Sequence, residues 1–122
     1  MRVTIKKEKY EQSAFFDYVK IKAKTDERYN LIFAVPNGGS RHKLEAVNLK
    51  RQGLVAGIPD VLVDIPNKRY HGLRIEFKVG SNKLTTNQQK YISLYNKYRY
   101  KAVVCYSCEA AIKELEDYLN DC

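Results

Sequence analysis

The run Leu73-Arg74-Ile75-Glu76-Phe77-Lys78-Val79 constrains this chain more than any other segment. Apolar and charged residues alternate without a break, and a β-strand sends successive side chains to opposite faces. Leu73, Ile75, Phe77 and Val79 then form a face suited to a core, while Arg74, Glu76 and Lys78 share the other. A charged strand face is usually solvated, with at most a weak ion pair on it. A carboxylate set between two cations also suits a site that handles phosphate, so the neighbouring segments decide between the two readings.

The nearest neighbour in sequence is Asp60–Ile65, rich in Val, Leu and Ile and separated from Gly72–Val79 by a Pro66-Asn67-Lys68 turn. The two segments read as strands of a hairpin. Gly57-Ile58-Pro59 leads into Asp60, and a Gly and a Pro so close to the strand start fix a tight approach that aims the carboxylate. At one end of the hairpin Asp60 can then approach Glu76. Two carboxylates suit a hard divalent cation such as Mg²⁺ or Mn²⁺, which prefers oxygen ligands and keeps several waters. The Phe77 backbone carbonyl, between the side chains of Glu76 and Lys78, is a further possible ligand. Lys78 is placed to orient a water and to offset charge on a phosphate in its transition state.

The remaining segments supply layers for this pair. Lys7–Lys24 has a helical pattern carried by Phe15, Tyr18, Val19 and Ala23. Leu31–Val35 reads as a short strand that ends at Pro36-Asn37-Gly38-Gly39-Ser40. A second helix spans Arg41–Gln52, with Leu44, Ala46 and Val47 on its apolar face and Gly53 at its end. Thr85 or Thr86 caps a third helix running to about Tyr98. Lys101–Tyr106 is a last strand and Glu109–Leu119 a last amphipathic helix. The order α-β-α-β-β-α-β-α gives an α/β fold, a mixed β-sheet flanked by helices. At 122 residues, with no linker or repeat, the chain is expected to form one domain over residues 1–122.

Composition narrows the partners. The net charge of +8, from 22 Lys and Arg against 14 Asp and Glu, favours polyanions, nucleic acid first among them. Charged residues run through the first ten positions, so no secretory leader is expected, and no apolar run reaches membrane-spanning length. The expected location is the cytoplasm. Three cysteines do not make a disulfide framework. Cys105 and Cys108 have C-x-x-C spacing, but the other zinc-ligand candidates, Cys122, His42 and His71, are scattered, and two ordinary thiols are the simpler reading.

Taken together these segments resemble the virus-type replication-repair nuclease domain, VRR-NUC, a branch of the PD-(D/E)XK superfamily. The resemblance lies in Glu8-Lys9-Tyr10-Glu11-Gln12, Pro36–Arg41, Gly53…Gly57-Ile58-Pro59-Asp60, Tyr70–Lys78 and Leu84-Thr85-Thr86-Asn87-Gln88. It implies a restriction-endonuclease-like core and a divalent-metal nuclease of replication and repair. The implied substrate is DNA, often branched, such as four-way (Holliday) junctions or flaps, and the implied assembly is a homodimer. Asp60, Glu76 and Lys78 match the catalytic triad of the motif. A helix-borne glutamate matches a further acidic, metal-proximal position, with Glu8 and Gln12 fitting the family spacing and Glu11 as the rival. Residues four apart share a helix face, so Glu8 and Gln12 can enter one cleft, while Glu11 is turned from Gln12 by about 100°. Gln88 matches a helix-borne glutamine that can bond a metal water or a phosphate.

Asn37 to Arg41 form a Gly-rich loop before a helix, whose N–H groups together with Arg41 can bind a DNA phosphate. Arg74, along with Lys43, Lys50, Arg51, Lys68, Arg69 and Lys83, is expected to flank the site and add affinity without sequence readout. Tyr91–Tyr100 interleaves aromatics with Lys90, Lys97 and Arg99, a pattern able to stack on unpaired bases. At helical spacing Tyr91, Tyr95 and Tyr98 fit core or dimer packing better. Two other functions stay open: a DNA-binding module of the same fold without catalysis, and a nuclease acting on plain duplex.

Overall fold

The central alternating strand forms as β3, Leu73–Phe77, and stands inside a four-stranded sheet. In the computed structural model the described residues are 2–36 and 43–122, with side chains from residue 7 and, in the second stretch, from residue 45. The other strands are β1 (Ile32–Ala34), β2 (Val61–Val63) and β4 (Lys101–Cys105), in the order β1-β2-β3-β4. The first two pairings are antiparallel, while β3 and β4 run parallel. A parallel pair needs a crossover, and α3 (Thr86–Lys97) provides it. The mixed sheet and its flanking helices match the arrangement expected from the sequence.

One face of the sheet holds the core. Val61, Val63, Leu73, Ile75 and Phe77 pack there with Phe15 and Val19 of α1 (Arg2–Lys22). Ala111, Leu115, Tyr118 and Leu119 of α4 (Cys108–Leu119) join the same cluster, at spacings that keep them on one helical stripe. The rings of Phe15 and Phe77 meet edge-on with centroids 5.9 Å apart. A buried side chain of this size contributes about 1.5–3 kcal/mol, so the apolar half of the alternation holds β3 in register. Two part-buried polar ties tether α4. Tyr18 and Tyr29 both donate to Oε2 of Glu116, and the Cys108 N–H donates to Oε1 of Glu11 at 2.6 Å.

Several boundaries differ from the sequence reading. The first helix begins at Arg2 rather than Lys7, and the second is shorter, α2 at Lys43–Arg51. Val47, expected on its apolar face, is 49% exposed. A 3₁₀ turn over Glu27–Leu31 was not anticipated; Asp26 caps it by accepting the Arg28 N–H at 3.0 Å. No helix among the described residues is long and apolar enough to cross a membrane.

The main correction concerns the charged face of β3. Arg74, Glu76 and Lys78 are all buried, because α3 lies across that side. The alternation along β3 defines its faces and not what covers them.

Candidate active site

Asp60 is the residue before β2. Extending the Val61–Ile75 pairing by one step sets it opposite Glu76. Its Oδ2 accepts the Phe77 N–H at 2.8 Å, which fixes the carboxylate against the edge of β3. Gly57 makes this approach possible. Its φ is +90°, a region that L side chains seldom adopt, and a Cβ there would lie 2.6 Å from Cβ of Asn87. The loop carrying Asp60 therefore packs directly on the first turn of α3.

That turn carries the third component. Thr85 accepts the Gln88 N–H at 3.1 Å, and Oε1 of Gln88 accepts the Thr85 N–H at 2.9 Å, a reciprocal cap. With Oε1 so engaged, Nε2 of Gln88 is turned toward Glu76 and donates to its Oε2 at 3.3 Å. Gln88 thus bonds the carboxylate itself, where the sequence pointed to a water or a phosphate.

Glu76 is 2% exposed, and its Oε1 has no hydrogen-bond partner. Burial, and next the negative charge of Asp60, push its pKa up to about 9; Lys78 opposes this, while Glu8 adds to it. A buried carboxyl with one oxygen free of hydrogen bonds, beside a second carboxylate, is a donor set of the kind hard cations use. Asp60 and Glu76 accordingly fit a hard divalent ion, which uses one or two protein carboxylates and fills its other positions with carbonyl or water oxygens. The Phe77 carbonyl lies on the backbone between Glu76 and Lys78. The Phe77 side chain belongs to the core.

Glu8 and Gln12 line one groove with Asp60, Ser13, Phe16 and Val35. Glu11 instead accepts the Cys108 N–H at the N-terminus of α4. Glu8 acts on the site as a charged wall, held by Asn82, whose Nδ2 donates to it at 3.1 Å. Among the described residues no three His, Cys, Asp or Glu side chains cluster. Asn82 was missed by sequence reasoning, and nothing in its local pattern singles it out.

Arg74, expected to flank the site and add affinity for DNA, is buried. Its guanidinium lies 4.9 and 4.8 Å from the ring centres of Tyr95 and Tyr100 and pairs with Asp64 at 3.1 Å. Its Nε has no hydrogen-bond partner, and burial keeps the cation from the surface. Lys68 and Arg69 sit on the connector before β3, at the end of the strand away from Glu76, where Arg69 pairs with Asp121. Asn37 and Arg41, expected to hold a phosphate, lie outside the described residues. Cys105 is buried at the end of β4, with burial pushing its thiol up to about 11, and Cys108 opens α4.

Comparison with known proteins bears on the whole arrangement. The model of the VRR-NUC domain matches residues 1–109. The chain belongs to the VRR-NUC family. A solved structure described as a "VRR_NUC domain protein" is similar to it, with 29% identity and a TM-score of 0.71 over 88% of this chain and 87% of that one. No curated protein matches the chain. VRR-NUC is a nuclease domain family, so the groove that Glu8 and Gln12 of α1 line with Val35 and Asp60 belongs to a nuclease-type domain.

Proposed function

We propose that this VRR-NUC chain is a divalent-metal-dependent DNA endonuclease that cuts branched DNA, such as four-way junctions or flaps. The observation that carries the reading is the convergence of Asp60 and Glu76, with the unsatisfied Oε1 of Glu76 and the Lys78 charge beside them. Mg²⁺ or Mn²⁺ would be held by the two carboxylates and the Phe77 carbonyl. When bound, such an ion polarises the scissile phosphate and lowers the pKa of a water at neutral pH.

The protein side of the reaction follows from the contacts. Gln88 fixes the Glu76 carboxylate through Oε2 and leaves Oε1 for the ion. The Phe77 N–H holds Asp60 in place. Lys78 offsets the negative charge that grows on the phosphate, an interaction stronger in the transition state than before it. Glu8 and Gln12 form the opposite wall of the groove that admits the backbone. Two symmetric cuts in a four-way junction call for two such sites, which a homodimer supplies.

A cleavage panel tests the proposal: four-way junction, flap, single strand and plain duplex, with Mn²⁺ or Mg²⁺ and with Glu76→Gln as control. The expected result is metal-dependent cutting of the branched substrates, stopped by EDTA and lowered by orders of magnitude in the variant. Binding of branched DNA without cutting under any metal would overturn the enzymatic reading. Equal cutting of plain duplex would overturn the branched preference alone.

A further inference from the structure

Beyond the carboxylates, α3 carries a feature with no part in the chemistry above. Gln88, Tyr91, Tyr95 and Tyr98 follow one another by three, four and three residues and so lie along one stripe of the helix. The stripe begins at the active site, where Gln88 bonds Glu76, and leads away from it. Ile58, two residues before Asp60, faces it across an apolar groove lined by Tyr91, Leu94, Tyr95, Tyr98 and Tyr100. Both walls of this groove are therefore continuous with the site.

The tyrosines are not core residues. No residue of α3 is buried, and Tyr98 is 62% exposed. Midway along the stripe the Tyr95 ring meets that of Tyr100 at 5.1 Å, and both cover the Arg74 guanidinium. Nearest the site Lys90 lies 5.3 Å from the Tyr91 ring, and at the outer end Lys97 lies 5.5 Å from that of Tyr98. No Asp or Glu occurs between Glu76 and Glu109, while Lys83, Lys90, Lys97 and Arg99 all fall in that interval; Lys101, also there, pairs with Glu114 at 3.0 Å.

We infer that this groove is a track for unpaired nucleotides of the DNA substrate, a reading that rests on the proposed nuclease function and deepens it. Aromatic faces stack on bases of any sequence, and cations beside them follow the phosphates. Ten residues of helix span about 15 Å, room for roughly two to four nucleotides leaving the site. A second copy of the chain docked here about a two-fold axis would bring the same cations together, which costs affinity, whereas a polyanion neutralises them.

The test compares two substrates built on one duplex, one flush-ended and one with a five-nucleotide single-stranded flap. Binding is read by anisotropy in Ca²⁺ and cutting in Mn²⁺, for the full chain and for Tyr98→Ala, Tyr91→Ala with Tyr98→Ala, and Tyr98→Trp. The double variant is expected to lose affinity for the flapped substrate about tenfold or more, at unchanged affinity for the flush duplex, and Tyr98→Trp to retain it. A 2-aminopurine base in the flap is expected to lose fluorescence on binding the unaltered chain and to regain it in the double variant. Equal loss on both substrates, or no loss on either, overturns the track. Loss of dimerisation in sedimentation, with flap binding intact, assigns the groove to a second copy and overturns it as well. If the unaltered chain never cuts but the flap-specific loss is seen, the nuclease reading fails while the track stands. If it cuts and the variants leave flap selectivity unmoved, the track fails alone.

Discussion

Gln88 donates to Glu76 from an amide whose other end is tied to the Thr85 N–H, so the cap of α3 and the orientation of a buried carboxylate are one structure. Thr85→Ala removes the side-chain oxygen that accepts the Gln88 N–H and loosens the turn that aims its amide. A lost cap costs about 1 kcal/mol. Beyond that modest fall in melting temperature, cutting is expected to drop several-fold, with Thr85→Ser restoring both. A stability loss with full activity would separate the cap from the site.

Gly57→Ala tests the contact between the Asp60 loop and α3. A methyl group at that position meets the Asn87 side chain and backbone within 3 Å at a φ of +90°. The change is expected to destabilise the fold by about 1–3 kcal/mol, since both the backbone and the loop must shift. Denaturation reads the stability, and cleavage is expected to fall with it because Asp60 moves. An unchanged midpoint would mean the loop does not rest on α3.

Glu76→Gln is expected to stabilise the metal-free protein while abolishing cleavage. A carboxyl with a folded pKa of about 9, against 4.5 when unperturbed, makes the folded state the stronger proton binder between those values. Stability therefore falls as pH rises from about 4.5 toward 9, and a neutral amide escapes the fall. In EDTA the variant should melt close to the parent at pH 5 and higher at pH 8, with the gap widening as pH rises. A gap that does not grow with pH would contradict this.

Arg74→Ala is expected to behave as a core mutation. It removes a buried cation from between two tyrosine rings and leaves Asp64 without its partner, at a cost of about 2–4 kcal/mol. The salt dependence of plain-duplex binding should be unchanged, since no phosphate contact is lost. A shallower salt slope would return Arg74 to the DNA surface.

The Asp60–Glu76 pair was legible because both signals are local: the alternation of β3 and the Gly-Ile-Pro approach to β2. The helix starting at Thr85 was legible for the same reason, as its cap lies within four residues. What covers the charged face of β3 was not, since the tyrosines that enclose Arg74 come from α3 and the segment after it. The role of Glu11 was hidden likewise, because its partner Cys108 is far away in sequence. Helix spacing did separate Glu8 with Gln12 from Glu11, since facing a groove depends on rotation about α1 alone. The exposure of Val47 shows the limit of that argument, because an apolar stripe does not reveal whether anything packs on it.

The most direct test of the central claim is Mn²⁺ binding followed by electron paramagnetic resonance. The full chain is to be compared with Asp60→Asn, Glu76→Gln and, as a control outside the site, Lys113→Ala. Both carboxylate variants are expected to lose Mn²⁺ affinity by at least tenfold, with the control unchanged and cleavage in the unaltered chain rising with Mn²⁺ occupancy. Equal Mn²⁺ affinity in all four proteins, or cleavage that persists in EDTA, would contradict the assignment of Asp60 and Glu76 as a shared cation site.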